Sequence, residues 1–80
     1  MDAFLYKVIQ LASMEDSQYP DYKQGFIALD LEDKLCASWD LSKGFQIQEK
    51  IVRATTPTKA ILKFQRWIKE GRSDDYLLSF

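Results

Sequence analysis

Eighty residues, 46% hydrophobic and 29% charged, make one globular domain near the lower limit for a single core, burying roughly 60 to 65% of its unfolded surface. Such a chain has no room for a second domain or a deep substrate cavity. Eleven basic against twelve acidic side chains give a net charge of -1, so any attraction to nucleic acid or a membrane must come from a local patch.

Cys36 is the single cysteine, which excludes an internal disulfide, and the absence of histidine removes any Cys/His zinc cluster. This usage suits a reducing, cytoplasmic setting. Met1 to Leu11 is too short and too charged for a signal peptide. No apolar run approaches the ~20 residues of a membrane span, so no membrane partner is expected.

Taken in chain order, Asp2 is a helix cap followed by Phe4, Leu5, Val8, Leu11 and Ala12 at helical spacing, which predicts a first helix with one apolar stripe. Ser13 to Lys23 is polar and contains Pro20, the mark of a long loop, and its Tyr19 and Tyr22 are candidate partner contacts.

From Gly25 to Val52 the spacing predicts three strands folded back on one another. Ile27, Leu29 and Leu31 alternate on the first, and Leu35, Ala37, Trp39 and Leu41 on the second. All are odd-numbered. Directly paired residues share a face, so the connecting loop must hold an odd number of residues; Glu32, Asp33 and Lys34 satisfy this, with Leu31 opposite Leu35. The same reasoning pairs Leu41 with Phe45 across a turn ending in Gly44. The third strand, Phe45 to Val52, continues the odd face with Ile47 and Ile51, broken by Glu49. The odd face is expected beneath helices. The even face, mostly polar but carrying Phe26, is expected to stay open.

Thr56 and Pro57 then form a cap and first position for a second helix that runs to about Lys69 and ends at Gly71. Ala60, Ile61, Phe64, Trp67 and Ile68 make its apolar side. Its basic side holds Lys59, Lys63 and Arg66, with Lys69 and Arg72 nearby. The tail opens with acidic residues that suit another helix start and ends in Tyr76, Leu77, Leu78 and Phe80, which must dock on the body or on another molecule.

The resulting expectation is an α+β, two-layer αβββα domain over residues 1–72, with a three-stranded antiparallel meander, both helices on one face, and an apolar tail over 73–80. That element order, with Lys59 near the start of a helix after the third strand, resembles the double-stranded RNA-binding domain, which implies a phosphate-contacting helix. Tyr19-Pro20-Asp21, Gly25-Phe26-Ile27-Ala28-Leu29 and Gly44-Phe45 resemble the closing strands of glycosylasparaginases. The threonine nucleophile of that family has no counterpart here, so this resemblance implies sheet geometry alone.

Catalytic chemistry is not indicated. Histidine, the commonest general base, is absent; Cys36 has no such partner; Asp30 and Asp40 sit at opposite ends of their strands; and no glycine-rich phosphate loop exists. The expectation is a non-enzyme without cofactor or metal. It is a protein-interaction module, serving as an assembly subunit, a homodimer or an inhibitor of a larger protein, as many virus- or mobile-element-encoded chains do. Tyr19, Tyr22, Phe26, Tyr76, Leu77 and Phe80 are its candidate contacts. The alternative is an RNA or DNA binder using Lys59, Lys63, Arg66, Lys69 and Arg72.

Overall fold

A computed structural model describes residues 2–13 and 24–79. They form an α+β fold with four antiparallel strands, β1 (Phe4–Ala12), β2 (Gln24–Leu29), β3 (Leu35–Trp39) and β4 (Phe45–Ala54), then helices α1 (Pro57–Glu70) and α2 (Asp74–Leu78). The strand order is β3-β2-β1-β4. Among these residues no helix is long and apolar enough to cross a membrane.

The first element is thus a strand, correcting the expected helix. Leu5, Ile9 and Leu11 fall on one face of it and Phe4, Tyr6, Val8 and Ala12 on the other, and a strand apolar on both faces shows no alternation. Its apolar residues therefore fit helical spacing equally well. As the central strand, β1 pairs with β2 on one side and with β4 on the other. The expected three-stranded meander is corrected as well, because β4 joins β1 rather than β3, and Leu41 bridges back to Trp39 instead of pairing with Phe45. With ββββαα as the element order, the topological resemblance to the double-stranded RNA-binding domain falls away.

The hairpin from β2 to β3 has the expected odd loop, shifted by one residue. Leu29 pairs with Leu35, and the Asp30 N–H donates to the Lys34 carbonyl at 3.0 Å, leaving Leu31, Glu32 and Asp33 in the turn. Asp33 supplies the left-handed conformation, with φ 66°. The Asp30 carboxylate accepts from the Glu32 and Lys34 N–H groups at 2.8 and 2.9 Å, which stabilises the turn.

A bulge at Cys36 then changes the parity. Leu29 faces Leu35, but Ala28 faces Ala37 and Phe26 faces Trp39. The helices consequently cover the face bearing Tyr6, Val8, Phe26, Ala28, Ala37 and Val52, not the odd face of β2 and β4. Against these residues α1 sets Ala60, Ile61 and Phe64, and α2 sets Leu77. Full burial of a side chain such as Phe64 contributes about 1.5–3 kcal/mol.

The α1 boundaries follow the sequence. Thr56 Oγ1 accepts from the Lys59 N–H at 3.1 Å, Pro57 opens the helix, and Gly71 ends it at φ 63°, its N–H donating to the Trp67 carbonyl. After Ser73, α2 begins with Asp74 and Asp75 in its first turn, where carboxylates favour the helix dipole.

Candidate functional site

The face of the sheet away from the helices gathers apolar side chains from all four strands. Strand register sets its side chains in rows. One row runs Leu35, Leu29, Lys7, Ile51 across β3, β2, β1 and β4; the next runs Ser38, Ile27, Ile9, Glu49. Leu5 and Leu11 extend β1 at either end. Leu41 occupies the space over Gly25, where a Cβ would lie 2.4 Å from the Leu41 Cβ, and so closes the patch beside Leu11. Leu35 is 54% exposed, Leu5 41% and Ile51 38%, so the rim of the patch meets solvent, whereas Ile9 and Leu11 on β1 are buried.

Three charges interrupt it, Lys7, Glu49 and, beside Leu5, Arg53. The Lys7 ammonium pairs with the Asp33 carboxylate at the end of the hairpin. That hydrogen bond is the largest of the effects on Lys7; with the charges of Asp33 and Glu49 it outweighs desolvation and raises the Lys7 pKa. Glu49 accepts from Gln46 Nε2 at 3.4 Å. Sequence parity had grouped Ile27, Leu29, Leu35 and Ile51 correctly, but it had also placed Ala37, Trp39 and Phe45 with them, which register sets on the other face, and it had put the helices on the odd face. Parity states which residues share a face, not which face is covered.

Phe26, expected on the open face, lies under α1, its ring edge-on to Phe64 at 5.8 Å. Leu77 is 1% exposed in the core, so α2 docks on its own chain through this residue, while Leu78 stays exposed. Tyr76 is half-buried, with the Arg72 guanidinium 4.5 Å and the Lys63 ammonium 5.5 Å from its ring. Tyr19, Tyr22 and Phe80 lie outside the described residues.

Lysines hold α2 at both ends. Lys50 pairs with Asp74 at 3.1 Å and lies 5.7 Å from the Trp67 ring centre, while Lys63 donates to the Arg53 carbonyl at 3.0 Å and to the Ser79 carbonyl. Desolvation and, next, the Arg53 charge lower the Lys63 pKa.

These contacts divide the basic side of α1. Lys59, Lys63, Arg66 and Lys69 do line one shallow groove with Leu62 and Tyr76, as their spacing on the helix requires. Lys63, however, is engaged by backbone carbonyls, and Arg72 is paired with Glu70. Only Lys59, Arg66 and Lys69 present charge outward.

Catalytic groupings are not assembled among the described residues. Asp30 is occupied by its turn, Cys36 is exposed with its thiol against the Lys34 carbonyl at 3.4 Å, and no group of three acidic or cysteine side chains is placed to hold a metal. A feature without a sequence signal is the polar ladder Gln24–Gln10–Gln48 across β2, β1 and β4, with amide contacts of 2.8 and 2.9 Å; Gln10 is buried and donates to one neighbour while accepting from the other. Comparisons with family models, with curated proteins and with solved structures find no match to this chain, so its functional reading rests on its own residues.

Proposed function

We propose that this chain is a small, non-catalytic protein-interaction module that docks through its open sheet face. The observation that carries this reading is the contiguity of Leu5, Ile27, Leu29, Leu35 and Ile51 on the side of the sheet that neither helix covers. Four strands spaced about 4.8 Å apart, over the seven residues from Leu5 to Leu11, give a footprint of about 20 by 20 Å. Within it Leu5, Leu35 and Ile51 are exposed, and exposed apolar side chains gathered on one face favour an interaction surface. Lys7 and Glu49 within it give orientation as well as adhesion.

The test is affinity capture with the wild-type chain and with Leu35→Lys and Ile51→Lys as bait. Both positions are exposed, so the fold should keep its melting temperature while the defined partner is lost. Retention of every captured protein by both variants would remove the sheet face from consideration.

A nucleic-acid reading draws on Lys59, Arg66 and Lys69 alone. Three outward cations on a chain of net charge -1 provide a weak phosphate attraction. Replacing the three by glutamate should leave partner capture unchanged under the module reading, whereas loss of binding to a labelled RNA or DNA duplex would favour the alternative.

A further inference from the structure

The charge on α1 is one-sided in a way that its own folding does not require. Between Pro57 and Glu70 the helix carries Lys59, Lys63, Arg66 and Lys69 against Glu70 alone, in a chain whose net charge is -1. On a helix, opposite charges three or four residues apart are stabilising and like charges destabilising. Lys59 and Lys63, Lys63 and Arg66, and Arg66 and Lys69 all set like charges at those spacings. Lys59 also stands in the first turn, where the helix dipole disfavours a cation. Lys63 is engaged by the Arg53 and Ser79 carbonyls, and Glu70 by Arg72. Lys59, Arg66 and Lys69 enter no ion pair among the described residues.

These three cations share one row with Leu62. At 3.6 residues per turn, positions 59, 62, 66 and 69 fall within about a quarter of the helix circumference and extend over about 15 Å. The row lies opposite Ala60, Ile61 and Phe64, which α1 turns to the core. Leu62 is 46% exposed, and the row lines a groove together with Tyr76. Steps of three, four and three residues are those of a seam along which two helices lie side by side.

We propose that this row takes an acidic amphipathic helix of another protein, with carboxylates against Lys59, Arg66 and Lys69 and an apolar side chain against Leu62. The site is separate from the open sheet face and does not rest on it. An exposed leucine among the cations, and Glu70 on the same groove, favour such a helix over nucleic acid. A run of phosphates has no use for the leucine and is repelled by the glutamate, whereas a helix places its carboxylates at chosen positions.

The experiment titrates the full chain into labelled, alanine-based helical peptides and follows fluorescence anisotropy. Two carry three glutamates at the spacing of Lys59, Arg66 and Lys69 with a leucine at the place of Leu62, one in parallel and one in antiparallel order. A control peptide of the same composition spreads its glutamates around the helix. One patterned peptide should bind at least about tenfold tighter than the control. The triple variant Lys59→Glu, Arg66→Glu, Lys69→Glu should lose that binding and should instead bind the same peptide with lysines for glutamates, which a misfolded variant would not do. Leu62→Ser should weaken the wild-type contact, and Leu35→Lys on the sheet should leave it unchanged.

Patterned peptides that bind no tighter than the control would overturn the proposal, as would a triple variant that does not accept the lysine peptide. Loss of the peptide in Leu35→Lys would move the contact to the sheet face. A labelled RNA or DNA duplex that binds more tightly than either peptide, and is lost in the triple variant, would return the row to nucleic acid.

Discussion

The ring of Phe26 meets that of Phe64 edge-on, with centroids 5.8 Å apart and planes at 71°. This contact ties β2 to α1 and marks the face of the sheet that the helices cover. Phe64 is fully buried and also lies against Trp67 at 5.4 Å, so Phe64→Ala removes a ring from the core between α1 and the sheet. The expected loss is about 3–5 kcal/mol, enough to unfold a domain of this size. By contrast, Leu35→Ala on the exposed rim should change stability by no more than about 0.5 kcal/mol. Urea denaturation of the two variants measures the contrast, and similar losses would mean that the faces are misassigned.

Two glycines with positive φ should respond differently to alanine. At Gly44, φ is 152° and a Cβ would lie 2.3 Å from the Ala12 carbonyl oxygen, so β1 and β4 cannot close at their paired ends. At Gly71, φ is 63° and nothing lies within 4 Å of the added carbon. Gly71→Ala should therefore cost only the left-handed conformation, about 1–2 kcal/mol, and Gly71→Asn less. Gly44→Ala should cost more than Gly71→Ala and should increase amide exchange at the Ala12 end of β1. Equal losses at the two sites would show that the Ala12 contact is relieved without consequence.

Much of this fold can be read from local chemistry. Thr56, Pro57 and Gly71 delimit α1 because caps and φ preferences act within one turn, and Asp74 and Asp75 announce α2 for the same reason. What escapes local reading is set at a distance. Phe4 to Ala12 satisfies helical spacing as well as a doubly buried strand, and only pairing with both β2 and β4 decides between them. Cys36 shifts Ala37 and Trp39 to the opposite face through a bulge that no alternation rule signals. The composition of the open patch was legible in Ile27, Leu29, Leu35 and Ile51. Its exposure was not, since it depends on which face α1 takes.

Lys7 gives a pH test. Its pKa is raised above 10.5, first by its hydrogen bond to Asp33. A base whose folded pKa is raised contributes stability that is complete below the unfolded value and is lost as pH rises through the folded one. The stability difference between wild type and Lys7→Met should therefore be constant from neutral pH to about 10 and shrink above it. Tyr6, whose phenol is raised first by burial and then by the Cys36 charge, titrates in the same window, but it is common to both proteins and cancels in the subtraction. Guanidinium titrations of the pair at several pH values supply the measurement. A difference independent of pH across this range would show that the ion pair is not maintained in solution.

Lys63 separates structural from surface charge on α1. Its ammonium donates to the carbonyls of Arg53, near the end of β4, and of Ser79, just beyond α2, so it joins the last strand to the last helix. Lys63→Met preserves most of the side-chain stem but removes both donations, leaving the carbonyls to water. The expected cost is about 1 kcal/mol, or several degrees of melting temperature for a chain of this length. The effect should be local: amides of α2 should exchange faster while those at the centre of β1 slow only by the global change. Lys59→Met, whose side chain lies on the same groove without these bonds, should leave α2 protection unaltered. The comparison also governs any charge-reversal test of the basic side. Replacing Lys63 by glutamate would set a carboxylate against two carbonyl oxygens and loosen α2, so a binding loss in that variant would report folding; Lys59, Arg66 and Lys69 are the positions whose reversal tests the surface alone.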